Sequence, residues 1–540
     1  MRGAKSAKWV AIAGVVALTA TACGGGDDDK GSGKVDPKGI VSYANGEPQN
    51  LLQPSNTMEA YGSVVIDALF TGLVHYDKQG NITYENAESV TPDKANKVWT
   101  VKLKKGWKFH DNTPVTAKSY VDAWNWAADP ANGQQNSAWY RDIVGYDDVH
   151  PAKGKAKKKT MSGLKVVDEN TFTITLKNGI PYYQYKLVYK PFFPLPEAAL
   201  KDPKKYGEAP VGNGPYKFSK WDRKKLISVR TWPGYKGEDK PKNGGIDFKA
   251  YTKDTAAYAD LKSDNVDTMP IVPNSELANF KNDFGDRAIV SDYSALNTVN
   301  FAFYTPQWKK TDIKVLQGLS MAIDRDTIAK TVFYGTRESA TGWVAKGVKG
   351  YQDDACGKFC KFDPKAAKAS IKAGGGVPGN KIQIQYNADQ PHKDWVVAVC
   401  NSITKATGVK CTGDAVTDFA ADTEIRDQKK VKSMYRSGWV LDYPFNGNFL
   451  ADLYGTGVDG NKGGFSDKKF DKLTAEADKA KTIDESAELY QKAEKELVNS
   501  FPGIPLWYNK TLSAYSNNVK KIEFDQAGDP VLSDVEVFEK

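Results

Sequence analysis

Val98-Trp-Thr-Val-Lys-Leu-Lys104 and Phe109-His-Asp-Asn-Thr-Pro-Val-Thr-Ala117 place a strand directly before a helix. Apolar and polar residues alternate through Leu103, which predicts a half-buried strand. Residues 116–128 have the apolar spacing of an amphipathic helix, and we expect this helix to begin near Pro114. The two patterns together indicate a chain that contains both kinds of secondary structure.

The same two patterns recur along the chain without a regular repeat. About 500 residues follow the N-terminal region, which is too long for one hydrophobic core and sufficient for two or three domains. We therefore predict a mixed α/β or α+β protein with more than one lobe. The further predicted strands are 39–44, 171–176 and 227–231, and the further predicted helices are 64–70, 315–334, 364–373 and 468–498, the last with a break near Thr482.

The N-terminus has the pattern of a secretion signal. Basic residues precede an apolar run from Trp9 to Leu18, and small residues then lead into Cys23. Extended to Ala22, the run is about 14 residues, shorter than the roughly 20 that a spanning helix needs. We predict a signal peptide over 1–22 that is removed before Cys23 becomes lipidated, although Ala20 stands where bacterial lipoproteins usually carry Leu.

Residues 23–38 are predicted to form a flexible tether, because they are rich in glycine and charged residues and have almost nothing to bury. The formal net charge of +9 is spread along the whole chain. The run from Lys157 to Lys159 is interpreted as a solvated loop, and no nucleic-acid partner is expected.

Four cysteines remain once Cys23 is assigned to lipid. They fall as two sequence-local pairs, and four thiols allow three pairings. An oxidising compartment favours disulfides within each pair. Zinc is the alternative, because Cys-x3-Cys is within ligand spacing, but no histidine is close and the second pair is widely spaced. The pairs are Cys356 with Cys360 and Cys400 with Cys411.

Signatures of catalysis are weak. The chain has only 4 histidines, and it lacks the zinc-protease, nucleophile-elbow and phosphate-loop motifs. Asp459-Gly460-Asn461 resembles the start of a calcium loop, but Phe470 stands where a bidentate Glu is needed, so we predict a turn. No metal or cofactor is predicted. A hydrolase with two carboxylates remains an alternative.

Seven motifs in a fixed order resemble the family 5 solute-binding proteins of ABC importers, the oligopeptide and dipeptide receptors. The resemblance covers almost the whole chain after the tether, and residues 162–200 are more similar to the oligopeptide branch. Besides the two stretches quoted above, the motifs are Ala68-Leu-Phe-Thr-Gly-Leu-Val74, Gly212-Asn-Gly-Pro-Tyr216, Met321-Ala-Ile-Asp-Arg325, Gly438-Trp-Val-Leu-Asp-Tyr-Pro444 and Ile504-Pro-Leu506.

The resemblance implies a two-lobed fold with an additional subdomain on the first lobe. Lobe I is expected to comprise 39–66, 192–292 and 509–540, with the extra subdomain over 67–191 and lobe II over 293–508. The lobes would close over an extended peptide and dock on the permease subunits of an importer. A monomer is expected.

The resemblance also implies ligand-binding residues. Asp442 matches the carboxylate that pairs with a peptide amino terminus, and Arg436 matches a cleft arginine that meets a ligand carboxylate. Trp439 would line a side-chain pocket. Phe419 lies one position from a cleft tryptophan of the family.

The first lobe is expected to contribute its own contacts. Asn136 replaces a cleft tyrosine of the oligopeptide branch, so Trp139 and Tyr140 are the candidates to take its place. Three residues align with a strand that binds the peptide through main-chain groups, namely Met58, Glu59 and Ala60.

These features predict a lipid-anchored receptor on the outer face of the bacterial cell membrane that captures extracellular oligopeptides for import. Aromatic residues are abundant, with 13 Trp, 27 Tyr and 22 Phe, and they would also suit the stacking of sugars. An oligosaccharide or a metal chelate is therefore an alternative ligand on the same scaffold. A secreted hydrolase is the alternative from another class.

Overall fold

The structure is a computed structural model, and it describes residues 33–77, 80–152 and 154–539. The predicted signal peptide, Cys23 and most of the tether lie outside the described residues. The chain from Val35 onward forms one compact unit. None of the helices in the described ranges combines the length and apolar character that a membrane crossing requires.

Strands are distributed over the whole length of this unit. They are β1 (Ile40–Asn45), β2 (Val74–Tyr76), β3 (Ile82–Tyr84), β4 (Ala87–Pro92), β5 (Val98–Leu103), β6 (Leu164–Asp168), β7 (Thr171–Thr175), β8 (Tyr216–Asp222), β9 (Leu226–Thr231), β10 (Gly245–Ala250), β11 (Ala288–Phe301), β12 (Arg337–Ser339), β13 (Lys381–Asn387), β14 (Lys410–Val416), β15 (Met434–Val440) and β16 (Gly503–Ala514).

Helices alternate irregularly with the strands. They are α1 (Ala60–Leu69), α2 (Ala117–Ala128), α3 (Tyr146–Val149), α4 (Tyr183–Lys186), α5 (Glu197–Lys201), α6 (Pro203–Glu208), α7 (Asp254–Lys262), α8 (Phe280–Phe284), α9 (Ile313–Met321), α10 (Arg325–Thr331), α11 (Pro364–Ala373), α12 (Lys393–Thr407), α13 (Phe419–Asp427), α14 (Gly447–Tyr454), α15 (Lys468–Asp478) and α16 (Ile483–Glu496). Short 3-10 turns cover Pro130–Asn132, Ser137–Tyr140, Lys190–Phe192, Asn274–Glu276, Gly285–Arg287, Gly357–Cys360, Pro378–Asn380, Leu497–Asn499 and Leu532–Asp534.

The strands form three sheets and one hairpin within the described residues. The first sheet has the order β1-β10-β9-β8, and the second sheet has the order β4-β5-β7-β6. The large sheet has the order β12-β16-β11-β15-β13-β14, and the hairpin is β2-β3. Pairs are antiparallel except β1 with β10, β13 with β14 and β13 with β15. The predicted α/β (mixed α+β) class is confirmed.

The two longest strands, β11 and β16, pair in two separate stretches. Ala288–Asp292 pairs with residues 510–514, and the ladder then shifts register between Asp292 and Leu296 before it resumes. Leu512 and Ala514 at the end of β16 pack in a small core with α7 and α8, whereas Ile504 and Leu506 belong to the main core. A single pair of strands therefore passes between two differently packed regions.

The Gly212-Asn-Gly-Pro-Tyr216 motif packs on the end of α1. A Cβ atom on Gly212 would lie 1.8 Å from the Leu69 carbonyl oxygen, so only glycine fits there. Asn213 is fully buried, and its amide accepts from the Thr71 backbone at 3.0 Å and donates to the Thr71 carbonyl at 2.8 Å. The motif thus fixes how α1 meets the first sheet.

Most predicted elements are present, with boundary shifts of one to a few residues, but the helix predicted over 315–334 is wrong as a single element. It is divided into α9 and α10, because the Asp324 carboxylate accepts from the Thr327 backbone amide and starts a new helix. The buried Arg325 guanidinium then donates to the carbonyl oxygens of Ser320 and Pro505. These side-chain bonds outweigh the apolar periodicity that continues through the break.

Disulfides bond Cys356 to Cys360 and Cys400 to Cys411. The first closes a loop beside the 3-10 turn Gly357–Cys360, and the second joins α12 to the edge strand β14. Both bonds are local in sequence, with separations of 4 and 11 residues.

Candidate functional site: a buried carboxylate at the end of β15

Asp442 lies two residues beyond the end of β15, the strand between β11 and β13 in the large sheet. Its side chain is partly buried. The amide of Asn448 on α14 donates a hydrogen bond to Asp442 Oδ2 at 3.0 Å. A central strand and a helix therefore hold this carboxylate in a defined position.

The surroundings of Asp442 disfavour its charged form. Burial raises the pKa of its carboxyl group from 3.8 to about 7, and the nearby Asp452 carboxylate adds to this increase. The Asn448 hydrogen bond and the positive charges of Lys190 and Lys186 act in the opposite direction. Burial has the largest effect, so the group is poised between its two protonation states near neutral pH.

Both neighbouring lysines are paired with other carboxylates. Lys190 Nζ lies 3.1 Å from Asp67 Oδ2, and Lys186 Nζ lies 2.8 Å from Asp142 Oδ2. Burial alone would lower the pKa of Lys190, but Asp67 and Asp529 outweigh it and raise the pKa above its ordinary range. Among the described residues, no lysine, arginine or histidine forms an ion pair with Asp442.

Aromatic rings pack against Tyr443, the residue that follows Asp442. The ring of Trp139 lies 4.4 Å from that of Tyr189 and 6.2 Å from that of Tyr443, measured between centroids. Trp139 and Tyr189 come from the segment 67–191, whereas Tyr443 follows Asp442 directly. These three rings form an aromatic wall that is built by two distant parts of the chain, and a ligand-binding role of Trp139 stays a prediction.

Tyr140, predicted beside Trp139, is placed differently. It is completely buried, its ring lies 5.4 Å from that of Phe192, and its hydroxyl donates to the Pro191 carbonyl at 2.6 Å. Tyr140 is therefore a core residue here and offers no surface to a ligand.

The segment around Met58 is anchored by Asn136. The Asn136 amide donates to the Thr57 carbonyl at 2.9 Å, and Asn136 itself is buried. Asn136 thus joins the Trp139 loop to the segment that precedes Met58. Met58 is 58% exposed, which leaves it accessible.

Met58, Glu59 and Ala60, which align with a peptide-binding strand, are not a strand in this structure, and their main-chain binding of a ligand stays a prediction. Glu59 has extended backbone but serves as the N-cap of α1, because its carboxylate accepts from the Gly62 backbone amide at 2.8 Å. Ala60 is already the first residue of the helix. Extended backbone ends at Glu59, so any main-chain pairing through this segment is limited to Met58 and Glu59.

Arg436 on β15 lies beside Phe419. The Arg436 guanidinium carbon is 5.4 Å from the centre of the Phe419 ring, and that ring is 52% exposed. Burial, and then the charge of Arg426, lowers the pKa of Arg436 to about 10. Arg426 is paired with Asp422 at 2.7 Å, whereas Arg436 forms no ion pair with any described residue and donates to the Asn387 side chain.

Trp439 is connected to Asp442 through the same asparagine. Its indole Nε1 donates to Asn448 Oδ1 at 3.1 Å, and its side chain is only partly buried. The structure therefore brings Asp442 and Trp439 together, whereas Arg436 and Phe419 form a second group further back along β15.

Several residues of this site were not predicted, namely Asn448, Asp452, Lys186, Lys190 and Tyr189. Asn448 and Asp452 are four residues apart and so lie on one face of α14. That spacing, directly after the Asp442 motif, was a signal in the sequence. The lysines have no such signal, because only the tertiary fold brings them near Asp442.

A model of the bacterial extracellular solute-binding proteins, family 5 Middle, matches residues 81–461. The chain belongs to this family. It is 25% identical over 534 residues to the oligopeptide-binding protein OppA of Bacillus subtilis, which covers 95% of this chain and 96% of the relative.

Solved structures of similar proteins share the fold. The unliganded open form of the periplasmic murein tripeptide binding protein MppA matches with a TM-score of 0.78 at 21% identity, over 94% of this chain and 99% of that one. Haemophilus influenzae OppA in complex with the peptide RPPGFSPFR matches with a TM-score of 0.75 at 20% identity, over 94% and 100%. The protein therefore has the two-lobed architecture of the periplasmic binding proteins.

The raised pKa of Asp442 predicts a specific pH dependence of stability. The native state binds more protons than the unfolded state between pH 4 and pH 7, so this group lowers stability as the pH rises through that range. The Asp442→Asn variant removes the effect. At pH 8 we expect its free energy of unfolding to exceed that of the wild type by about 2 to 4 kcal/mol.

Urea unfolding at pH 4 and pH 8 measures this difference. Burial also raises the pKa values of Glu494 and Asp525 to about 7. Both residues are present in the wild type and in the variant, so their contributions to the pH dependence cancel in the difference between the two proteins. If the free energies of unfolding of Asp442→Asn and the wild type differed by the same amount at both pH values, Asp442 would ionise normally in the folded protein.

Proposed function

We propose that the protein is a solute-binding receptor that captures extracellular oligopeptides between its two lobes and delivers them to an ABC importer. The observation that carries this proposal is the Asp442 carboxylate, which is partly buried beside aromatic rings and has no ion-pair partner among the described residues. A ligand ammonium group would supply the missing positive charge and stabilise the charged form of the carboxylate.

Arg436 supports a ligand with a second, negative terminus. A buried charge without a partner costs several kcal/mol, so a peptide enclosed by the protein needs a partner for both termini. Arg436 forms no ion pair with any described residue, so its guanidinium can pair with a ligand carboxylate. This guanidinium lies beside the exposed ring of Phe419. The two charged groups stand on one strand and its extension, as recognition of an extended peptide by its ends requires.

The sheets support the proposed division into lobes. The first sheet combines 40–45 with 216–250, within the proposed lobe I of 39–66, 192–292 and 509–540. The second sheet lies within the proposed subdomain of 67–191, and the register shift near Asp292 lies at the proposed boundary of lobe II, 293–508. Bending at this irregularity would close the lobes over a ligand.

The names of similar proteins favour a peptide over the alternative ligands. One relative is an oligopeptide-binding protein, and two structural neighbours are a murein tripeptide binding protein and a peptide complex. An oligosaccharide would gain from the aromatic wall but would leave the charge of Asp442 unpaired. A metal chelate has no comparable support from the described residues.

We expect the affinity for short peptides to depend on both charged termini. N-acetylation should weaken binding at least about 30-fold, because removing one partner of a buried charge pair costs about 2 kcal/mol or more. Amidation of the carboxyl end should weaken binding in the same way. Isothermal titration calorimetry with tri-alanine and its two blocked forms measures both effects.

Variants assign each effect to a residue. Asp442→Asn should abolish discrimination against the acetylated peptide only, and Arg436→Gln should abolish discrimination against the amide only. Arg223→Gln, which changes an arginine on the distant turn between β8 and β9, is the matched control and should behave as the wild type. Equal affinities of the wild type for free and acetylated peptides would refute the role of Asp442, and cleavage of bound peptide would support the hydrolase alternative.

We also propose that the receptor acts as a monomer at the outer face of the bacterial cell membrane, held by lipid on Cys23. The support is the sequence pattern of 1–22 and the glycine-rich tether of 23–38, which together match a processed lipoprotein. A tether of about 15 residues has a root-mean-square reach of roughly 20 Å, which keeps the receptor near its importer and free to dock.

The Cys23→Ala variant should be released from the membrane fraction when the full chain is produced in a bacterium that processes lipoproteins. A Ser32→Ala variant, changed only in the tether, should stay with the membrane. Fractionation followed by immunoblotting measures the distribution. Retention of Cys23→Ala in the membrane fraction would show that another feature holds the protein there.

A further inference from the structure

Asn448 occupies a central position behind Asp442. It is the second residue of α14 and has no exposed surface. Its Oδ1 accepts from the Asp442 backbone amide at 2.9 Å and from Trp439 Nε1 at 3.1 Å. Its Nδ2 donates to Asp442 Oδ2 at 3.0 Å and to Asp452 Oδ2 at 3.3 Å. A primary amide has two donor hydrogens and two acceptor lone pairs, and all four are used.

The partners fix the orientation of this amide. Two N–H donors face its oxygen, and two carboxylate oxygens face its nitrogen. Rotation of the amide by half a turn would direct its oxygen at both carboxylates and its hydrogens at both donors, which replaces four hydrogen bonds with four repulsive contacts. Asn448 therefore has one stable orientation, and it transmits that orientation to its neighbours.

Resting on the proposed function, we infer that Asn448 is a positioning residue for the ligand ammonium group. Asn448 holds the carboxylate of Asp442 at a fixed position and orients the Trp439 indole beside it. Its Nδ2 group also bridges the carboxylates of Asp442 and Asp452. Substitution of Asn448 would leave Asp442 in the chain but remove its alignment.

The charged and titratable groups around Asp442 define what this bridge does. Asp452 opposes the ionisation of Asp442, whereas Lys190 and Lys186 favour it, and the phenols of Tyr189 and Tyr443 also face the carboxylate. Asp452 is in turn held by the Tyr443 hydroxyl at 2.8 Å and by Arg141 at 3.4 Å. Asn448 donates to both carboxylates, and its loss removes the hydrogen bond that favours the charged form of Asp442.

Asn446 provides a matched control two residues away. It is equally buried, and its amide donates to the carbonyl oxygens of Gly350 and Ala487 at 3.2 and 3.0 Å. These bonds attach the start of α14 to a neighbouring loop and to α16 and do not involve Asp442. Loss of Asn446 should destabilise the same helix without altering the carboxylate.

The test measures tri-alanine and N-acetyl-tri-alanine binding by calorimetry between pH 5 and pH 9. In Asn448→Leu and Asn448→Asp we expect the affinity for free tri-alanine at pH 7 to fall at least tenfold. Protonated Asp442 cannot pair with an ammonium group, so peptide affinity is lost on acidification. The midpoint pH of this loss should rise by about one pH unit or more in both variants. Asn446→Leu should keep the wild-type midpoint and the wild-type preference for the free amine.

Retention of the wild-type midpoint and amine preference in the Asn448 variants would overturn the inference. Asn448→Asp keeps the side-chain shape. If Asn448→Leu does not fold, the Asn448→Asp variant alone tests whether Asn448 positions Asp442. Failure of the proposed function has a different signature. In that case wild-type protein itself would not prefer free tri-alanine over the acetylated form, and Asp442→Asn would not alter binding.

Discussion

The Asp442 carboxylate is partly buried without an ion-pair partner among the described residues, and this electrostatic constraint organises the site. Burial raises its pKa to about 7, while the hydrogen bond from Asn448 favours the charged form. Lys186 and Lys190 are close enough to favour ionisation but are paired with Asp142 and Asp67. No cation of the described residues is paired with the carboxylate, and a cation brought by a ligand would gain most from the low-dielectric surroundings.

The large sheet supplies a rigid platform for recognition. β15 carries Arg436, and its extension carries Asp442. Strand β11 pairs with β15 as far as Val440, and the Leu441 amide donates to the Ser294 carbonyl, so β11 fixes the spacing of the two charged groups. The residues opposite them, including Trp139 and Tyr189, come from a separate segment attached through other contacts. If the lobes close as proposed, the large sheet determines which ends of a ligand are bound. The aromatic wall then excludes water from the ion pair between the ligand ammonium group and Asp442.

Local patterns predicted the elements whose determinants are local. The helix predicted at 364–373 has the observed bounds of α11, because Pro364 starts it and the preceding Asp363 caps it. Elsewhere the apolar pattern alone was insufficient. Local N-cap bonds of Asp324 and Glu59 start helices where a continuous helix and a strand were expected. Only the bond from Arg325 to the Pro505 carbonyl is a tertiary contact that no local pattern indicates. At the site, a motif indicated Asp442, and the spacing of Asn448 and Asp452 after it was a further signal. Only packing reveals which of these side chains bonds to Asp442 and that Tyr140 is buried.

The number of protons released on peptide binding reports directly on whether a ligand ammonium group pairs with Asp442. If a ligand ammonium group pairs with Asp442, binding at pH 6 must ionise a carboxyl group whose pKa is about 7, and about 0.9 proton should leave per peptide bound. Calorimetry in buffers of different ionisation enthalpy counts these protons. We expect nearly one proton to be released by the wild type and none by Asp442→Asn. Peptide binding without proton release in the wild type, or with equal release in both proteins, would contradict this pairing.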